Sequence, residues 1–203
     1  MSEPKVTRYI TFEEYLRLEG KSEVRHEYVH GVLFAMSGAT EAHSNISANL
    51  NGALFNFFRG KGCRVYQGHM MVFVSAMNSA YYPDIMVTCE PFDANSQYKT
   101  GPSIMVEVLS PSTQHIDRRE KLIAYQQLES LQFYLLVHQK RMRVELHRRI
   151  SETEWETVIL HGSDVLRLDL IPGKSFVMPV KEIYENLNFP SFVEEEEEEY
   201  ELV

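Results

Sequence analysis

Three charged residues interrupt otherwise apolar patterns, and their types suit metal or phosphate chemistry. Asp84 opens the run PDIMV, with Met86 and Thr88 on its face of the pleat. Glu107 stands inside IMVEVL, where Met105 and Leu109 share its face. An unpaired carboxylate in such a run costs several kcal/mol to bury, so it must meet a cation, a metal or a proton donor. Lys121 lies in the stretch 114–128, whose spacing predicts a helix. Asp117, Lys121, Ala124, Tyr125 and Leu128 fall on one stripe there, while Arg118, Arg119, Glu120, Gln126 and Gln127 take other faces. Two charges thus share the stripe that should face a sheet. Two readings follow. One is a buried ion pair, Glu107–Lys121 or Asp117–Lys121, that fixes the helix register. The other is a pair of carboxylates holding a hard divalent cation, Mg²⁺ or Mn²⁺, with water completing its shell. The lysine would then steady an attacking water or the charge that grows on a phosphate.

The elements that must position these residues are legible. Thr11 and Glu14 form a capping box that opens a short helix through about Leu18. YVHGVLFAM (28–36) reads as strand, turn at Gly31, and strand. From His43 to Phe58, Ile46, Leu50, Ala53, Leu54, Phe57 and Phe58 recur at helical spacing. RVYQGHMMVFVS (64–75) is strand-like with a break at Gly68, and PDIMVTCE (83–90) and SIMVEVLS (103–110) are short buried strands. Ser110, Ser112 and Thr113 should turn the chain and cap the helix that follows. FYLLVH (133–138) is a further strand, RVELHRR (143–149) and WETVIL (155–160) form a hairpin, and a short helix falls near 180–186. This order predicts an α/β (α+β) domain, a central mixed sheet flanked by helices.

Length and composition bound the rest. The chain has 203 residues, 44% apolar and 24% charged, and so suits one folded domain over residues 1–191. Seven of the 29 acidic residues, Glu194–Glu199 and Glu201, sit in the last ten. Against 20 Lys and Arg, the body without them is close to neutral, and residues 192–203 read as a disordered acidic tail. The largest basic cluster runs from Lys140 to Arg149 and reads as a solvated face or as a contact for nucleic acid. No apolar stretch reaches the roughly 18 residues of a membrane span. The start, MSEPKVTRYITFEEY, has the character of neither a signal nor a transit peptide. Two cysteines, Cys63 and Cys89, do not make a secreted framework, so reduced thiols in a cytoplasmic protein are expected. No GxGxxG, Walker loop or CxxC occurs, Ser110 has no general base in view, and His43 falls at a helix start near the charged set.

Pro83-Asp84, followed 23 residues later by Glu107-Val108-Leu109 in a strand, resembles the core of the PD-(D/E)XK nuclease superfamily. The wider layout is similar to the bacterial Uma-type family of restriction-endonuclease-like proteins. The residues that carry this are TFEEYLRL (11–18), HEYVHGVLFAM (26–36), His43, YYPDIMV (81–87), MVEVLSPSTQHIDRREKLIAYQQL (105–128) and FYLLVH (133–138). The resemblance implies a restriction-endonuclease-like fold and a metal-dependent phosphodiesterase acting on nucleic acid, DNA first. It implies Asp84 and Glu107 as ligands to Mg²⁺ or Mn²⁺. The superfamily places its lysine two residues after the glutamate, which here is Leu109. In this family the lysine has moved to the following helix and falls on Lys121, the residue the stripe had singled out. Glu27 matches the family's early glutamate, which faces the metal site. One departure is His30, where the family commonly carries an acid. By analogy with the superfamily, a homodimer would read two half-sites. The alternative is a catalytically silent nucleic-acid-binding or regulatory protein that kept the fold.

Overall fold

A computed structural model of the protein describes residues 9–36, 38–110 and 114–187. The acidic tail expected over 192–203 lies outside these residues, as do Ser112 and Thr113. Helix α1 (Phe12–Glu19) is opened by the expected capping box, Thr11 with Glu14. Strands β1 (His26–Val29) and β2 (Val32–Ala35) pair as a hairpin in which Val29 faces Val32. Its two-residue turn, His30-Gly31, has φ of +48° and +90°. Positive φ at both central positions marks the turn whose twist suits a hairpin, and Gly, Asn and Asp adopt it most readily. The departure at His30 is therefore accounted for by the turn: an acid here suits the backbone, and the position lies on the exposed tip of the hairpin.

Helix α2 (Glu41–Phe58) begins two residues before the expected start because Thr40 caps it, accepting from the His43 amide at 3.1 Å. Ile46, Leu50, Leu54 and Phe58 are fully buried on its inner face, as the spacing predicts. They pack on the central sheet, which runs in the order β11-β10-β9-β8-β6-β3. Its strands are β3 (Arg64–Gln67), β6 (Ile85–Thr88), β8 (Pro102–Leu109), β9 (Phe133–His138), β10 (Arg143–Arg149) and β11 (Trp155–His161). The sheet is mixed: β8 and β9 are parallel and the other pairs antiparallel. All eight residues of β8 are buried. Ile104, Val106 and Val108 face α2, and Met105, Glu107 and Leu109 face the opposite side. A hairpin of β12 (Val165–Ile171) and β13 (Lys174–Pro179), with the short α5 (Val180–Ile183), completes the α2 layer.

A second sheet was not foreseen. It runs β2-β1-β5-β4-β7 and adds β4 (Met71–Val74), β5 (Ser79–Tyr81) and β7 (Tyr98–Lys99) to the first hairpin. The stretch 64–75, read as one interrupted strand, therefore supplies a strand to each sheet. The break at Gly68, with φ of +58°, is where the chain changes sheets. Pro83-Asp84 is the return crossing, from β5 to β6. Proline has no N–H for a ladder and so suits the point where pairing lapses.

The expectation of two reduced thiols is corrected. Arg64 pairs with Thr88 across β3 and β6, which brings the flanking Cys63 and Cys89 opposite each other, and they form a disulfide. Their separation of 26 residues carries no sign of this, since only the strand pairing brings them together. No helix among the described residues is long and apolar enough to cross a membrane.

Candidate active site

The helical stretch after β8 is not a regular α-helix. It runs as α3 (Gln114–Ile116), a π turn (Asp117–Lys121) and α4 (Leu122–Gln126). Single π turns inside helices recur at functional sites. Here the turn buries both Asp117 and Lys121, while Ala124 and Tyr125 continue the inner face. The stripe read from the sequence is thus observed, with a wider turn at its charged end.

Four elements deliver carboxylates to this face. Glu107 projects from the middle of β8 and is 4% exposed. Glu27 comes from β1 of the second sheet, Asp117 from the π turn, and Asp84 from the crossing between the sheets. The Nζ of Lys121 lies 2.9 Å from Glu27 Oε1, 3.1 Å from Glu107 Oε1 and 3.3 Å from Asp117 Oδ1. Both ion pairs left open by the sequence, Glu107–Lys121 and Asp117–Lys121, are therefore present together, and Glu27 joins them. Asp84 stands beside this group. Ile85 pairs with Val106, so one step further along the antiparallel strands Asp84 falls opposite Glu107. Its Oδ2 accepts from the Val108 amide at 2.7 Å, and its carbonyl accepts from the Gly68 amide at 2.9 Å.

Three neighbours were not assigned from the sequence. His43, in the first turn of α2, places Nε2 3.0 Å from Asp84 Oδ2. The sequence had placed it at a helix start near the charged set, without a role. The Tyr125 hydroxyl donates to Glu107 Oε1 at 2.9 Å, and the Tyr134 hydroxyl donates to the Asp117 carbonyl at 3.0 Å. Tyrosine is at home in a core, so residue type alone gives no signal for either. Tyr125 orients the carboxylate that Lys121 also grips. Tyr125→Phe should cost about 1–3 kcal/mol, because it leaves a buried acceptor with one donor fewer. A shift of the denaturation midpoint checks this, and an unchanged midpoint would show that the bond contributes nothing.

Electrostatics set the character of the group. Burial raises the Glu107 pKa well above the usual carboxylate range; Lys121 opposes this, and Asp117, Asp84 and Glu27 add to it. Burial alone would lower the Lys121 pKa, but Glu107, Glu27 and Asp117 outweigh it and push the ammonium well above its ordinary value. Three carboxylates meet one lysine and Asp84 stands beside them, so the surplus is negative. Lys121 stays charged, and burial makes Glu107 reluctant to ionise.

This donor set fits a hard divalent cation. All donors are carboxylate oxygens, the type that Mg²⁺ and Mn²⁺ prefer. Asp117 Oδ1 is buried and makes no hydrogen bond, although the ammonium lies 3.3 Å away. Asp84 receives its hydrogen bonds on Oδ2 and Glu107 on Oε1, so each keeps a second oxygen outside them. Among the described residues no three of His, Cys, Asp and Glu are grouped to hold an ion by themselves. Mg²⁺ is usually held by one or two protein carboxylates with water and substrate oxygens.

A family model described as "Uma2: Putative restriction endonuclease" matches residues 12–181. The chain belongs to the Uma2 family. That span covers all four residues singled out in the sequence. Two relatives are uncharacterized proteins of Synechocystis sp. (strain PCC 6803). One is 36% identical over 178 residues, 87% of this chain and 92% of the relative. The other is 30% identical over 161 residues, 78% of this chain and 91% of the relative. The crystal structure of "a putative nuclease belonging to DUF820" from Anabaena variabilis superposes with a TM-score of 0.71 at 17% identity, over 86% of this chain and 97% of that one. At that identity the likeness shows a shared fold. The expected α+β class, with a mixed sheet flanked by helices, is the observed one, and this Uma2 chain has the restriction-endonuclease-like fold its motifs resembled.

Proposed function

We propose that this protein is a metal-dependent phosphodiesterase that hydrolyses nucleic acid, DNA first. The observation that carries this is the convergence of Asp84, Glu107, Glu27 and Lys121, from four separate elements, on one partly buried group with surplus negative charge. Family membership and the fold shared with the Anabaena protein support the same reading. Asp84 and Glu107 would hold Mg²⁺ or Mn²⁺. When bound, such a cation offsets phosphate charge and makes water a better nucleophile. Val108 and His43 fix Asp84, and Tyr125 fixes Glu107, so both carboxylates are held before substrate arrives. Lys121 acts as a charged donor. Its raised pKa rules it out as a base near neutral pH, and its N–H groups can steady the attacking water or a phosphate oxygen as charge builds. Glu27 keeps the ammonium in place from the second sheet.

The test is a matched cleavage assay of wild type and Asp84→Ala on supercoiled plasmid, single-stranded DNA and RNA, with Mg²⁺, Mn²⁺ or EDTA. Cation-dependent cutting by wild type, lost in Asp84→Ala, is the expected result, and the substrate cut fastest names the preferred class. Equal cutting by both proteins, or none by wild type on any substrate, would overturn the reading.

A further inference from the structure

The basic run Lys140–Arg149 takes no part in the carboxylate group, yet the fold brings its first half to the same face of the central sheet. Glu107 pairs with Leu136 across β8 and β9, and Leu136 pairs with Glu145 across β9 and β10. Paired residues share a face, so Glu145 stands two strands from Glu107, roughly 10 Å away at the backbone. Arg118 of the π turn grips Glu145 with two bonds, Nη2 to Oε1 at 2.9 Å and Nε to Oε2 at 3.3 Å. Its Nη1 donates to Gln114 at 3.1 Å. His138 Nε2 lies 2.7 Å from Glu145 Oε1, and Arg143 Nε lies 3.9 Å from the same oxygen. Arg141 donates from Nε to His138 Nδ1 at 3.3 Å. With Nδ1 accepting from Arg141, a neutral His138 carries its proton on Nε2, which faces Glu145 and lies 3.2 Å from Arg118 Nη2. Burial lowers the His138 pKa, and Arg141 and Arg118 lower it further against the pull of Glu145.

Two guanidinium groups, Arg118 and Arg143, therefore share the Glu145 carboxylate, and a third, Arg141, reaches it only through His138. Glu145 is spent on Arg118 and His138. Arg141 is exposed, and Arg143 Nε is buried without a hydrogen bond. A buried N–H in a cluster of surplus positive charge favours an anionic oxygen, and guanidinium edges match phosphate oxygens in pairs. The turn that carries Lys140 and Arg141 is tied to the catalytic side. Gln139 Nε2 donates to the Leu109 carbonyl at the end of β8 at 2.9 Å, and Gln139 Oε1 accepts from Thr40 Oγ1 at 2.7 Å. Thr40 caps α2, the helix whose first turn holds His43 against Asp84.

We propose that Arg118, Arg141 and Arg143 form a subsite for a backbone phosphate of the nucleic-acid strand, flanking the phosphodiester that reacts at Asp84 and Glu107. This rests on the nuclease reading above. Glu145 is a positioning residue that holds Arg118, Arg141 presents its exposed guanidinium to the strand, and the partly exposed end of Arg143 lies beside it. Such contacts anchor and orient the strand without reading sequence.

Binding of fluorescently labelled duplex and single-stranded DNA of equal length, in EDTA and over a salt series, tests this. Wild type is compared with Arg141→Gln and with Arg141→Gln/Arg143→Gln. Each lost phosphate contact should flatten the plot of log affinity against log salt by about 0.9 for duplex or about 0.7 for a single strand, with weaker binding at every salt. The Arg141 side chain is exposed, so Arg141→Gln should melt with wild type and a lost fold cannot mimic the result. Unchanged affinity and slope in both variants would overturn the subsite and leave a purely structural ion network around Glu145. Absence of any binding by wild type at low salt would overturn it as well. Loss of cutting in Asp84→Ala with unchanged arginine slopes keeps the nuclease reading and sinks the subsite. A flattened slope in a protein with no cation-dependent cutting keeps the phosphate site and sinks the nuclease reading.

Discussion

Lys121→Met should destabilise the protein by about 3–5 kcal/mol, the range for removing one partner of a buried charge cluster. Methionine replaces the length of the stem but leaves Glu27, Glu107 and Asp117 facing one another without a cation. For a chain of this size the loss corresponds to a fall of very roughly 6–20 °C in melting temperature. The pH dependence follows from the raised Lys121 pKa. A group raised in the folded state contributes its full stability below its unfolded value, about 10.4, and loses it only as pH rises through the folded value. Wild type should therefore hold this contribution across the neutral range. The deficit of Lys121→Met should shrink in acid, where the buried Glu107, already reluctant to ionise, is neutral. Thermal melts of both proteins from pH 4 to 9 check this. Coincident curves would mean that the ammonium does not hold the cluster together.

Glu107→Gln should act in opposite directions on activity and stability. Cleavage should fall by about 10³-fold or more, at least the scale of losing one preorganised electrostatic group. Stability at neutral pH should nevertheless rise by about 0.5–2 kcal/mol. Burial is the main reason that Glu107 is reluctant to ionise, and three nearby carboxylates add to it. A carboxyl whose folded pKa is raised contributes stability below its unfolded value, about 4.3, and loses it as pH rises through the folded value. The amide keeps an acceptor for Tyr125 and Lys121 and removes the charge, while Glu27 and Asp117 still neutralise Lys121. The two proteins should thus be similar in acid, and the gap should open toward neutral pH. A variant less stable than wild type at pH 7, or one that still cuts, would contradict this account. Together the two substitutions treat one surplus of negative charge from both sides.

The elements that place these residues were legible because their signals are local. The capping box at Thr11 and Glu14, the turn at Gly31, the apolar face of 46–58 and the alternation through Glu107 each depend on residues a few positions apart. The stripe of Asp117, Lys121 and Tyr125 belongs with these, as helical spacing alone puts them on one side. Asp84 and Glu107 stood out for a related reason: a carboxylate in an apolar strand demands a partner, and the demand is visible before the partner is.

The partners that helical spacing did not offer came from chain crossings that no local pattern records. The move of 64–75 from one sheet to the other at Gly68, and the return at Pro83-Asp84, create the second sheet that brings Glu27 to Lys121. The same pairing of β3 with β6 sets Cys63 against Cys89. His43 reaches Asp84, and Gln139 joins Thr40 to the end of β8, across separations of 41, 99 and 30 residues. Arg118 finds Glu145 in a strand 27 residues later. The sequence by itself determined which side chains would be costly to bury and which face they would occupy. Only the tertiary structure decided that both candidate pairs form together, that Glu27 joins them and that His43 meets Asp84, because strand register and sheet crossing are settled by packing over the whole chain.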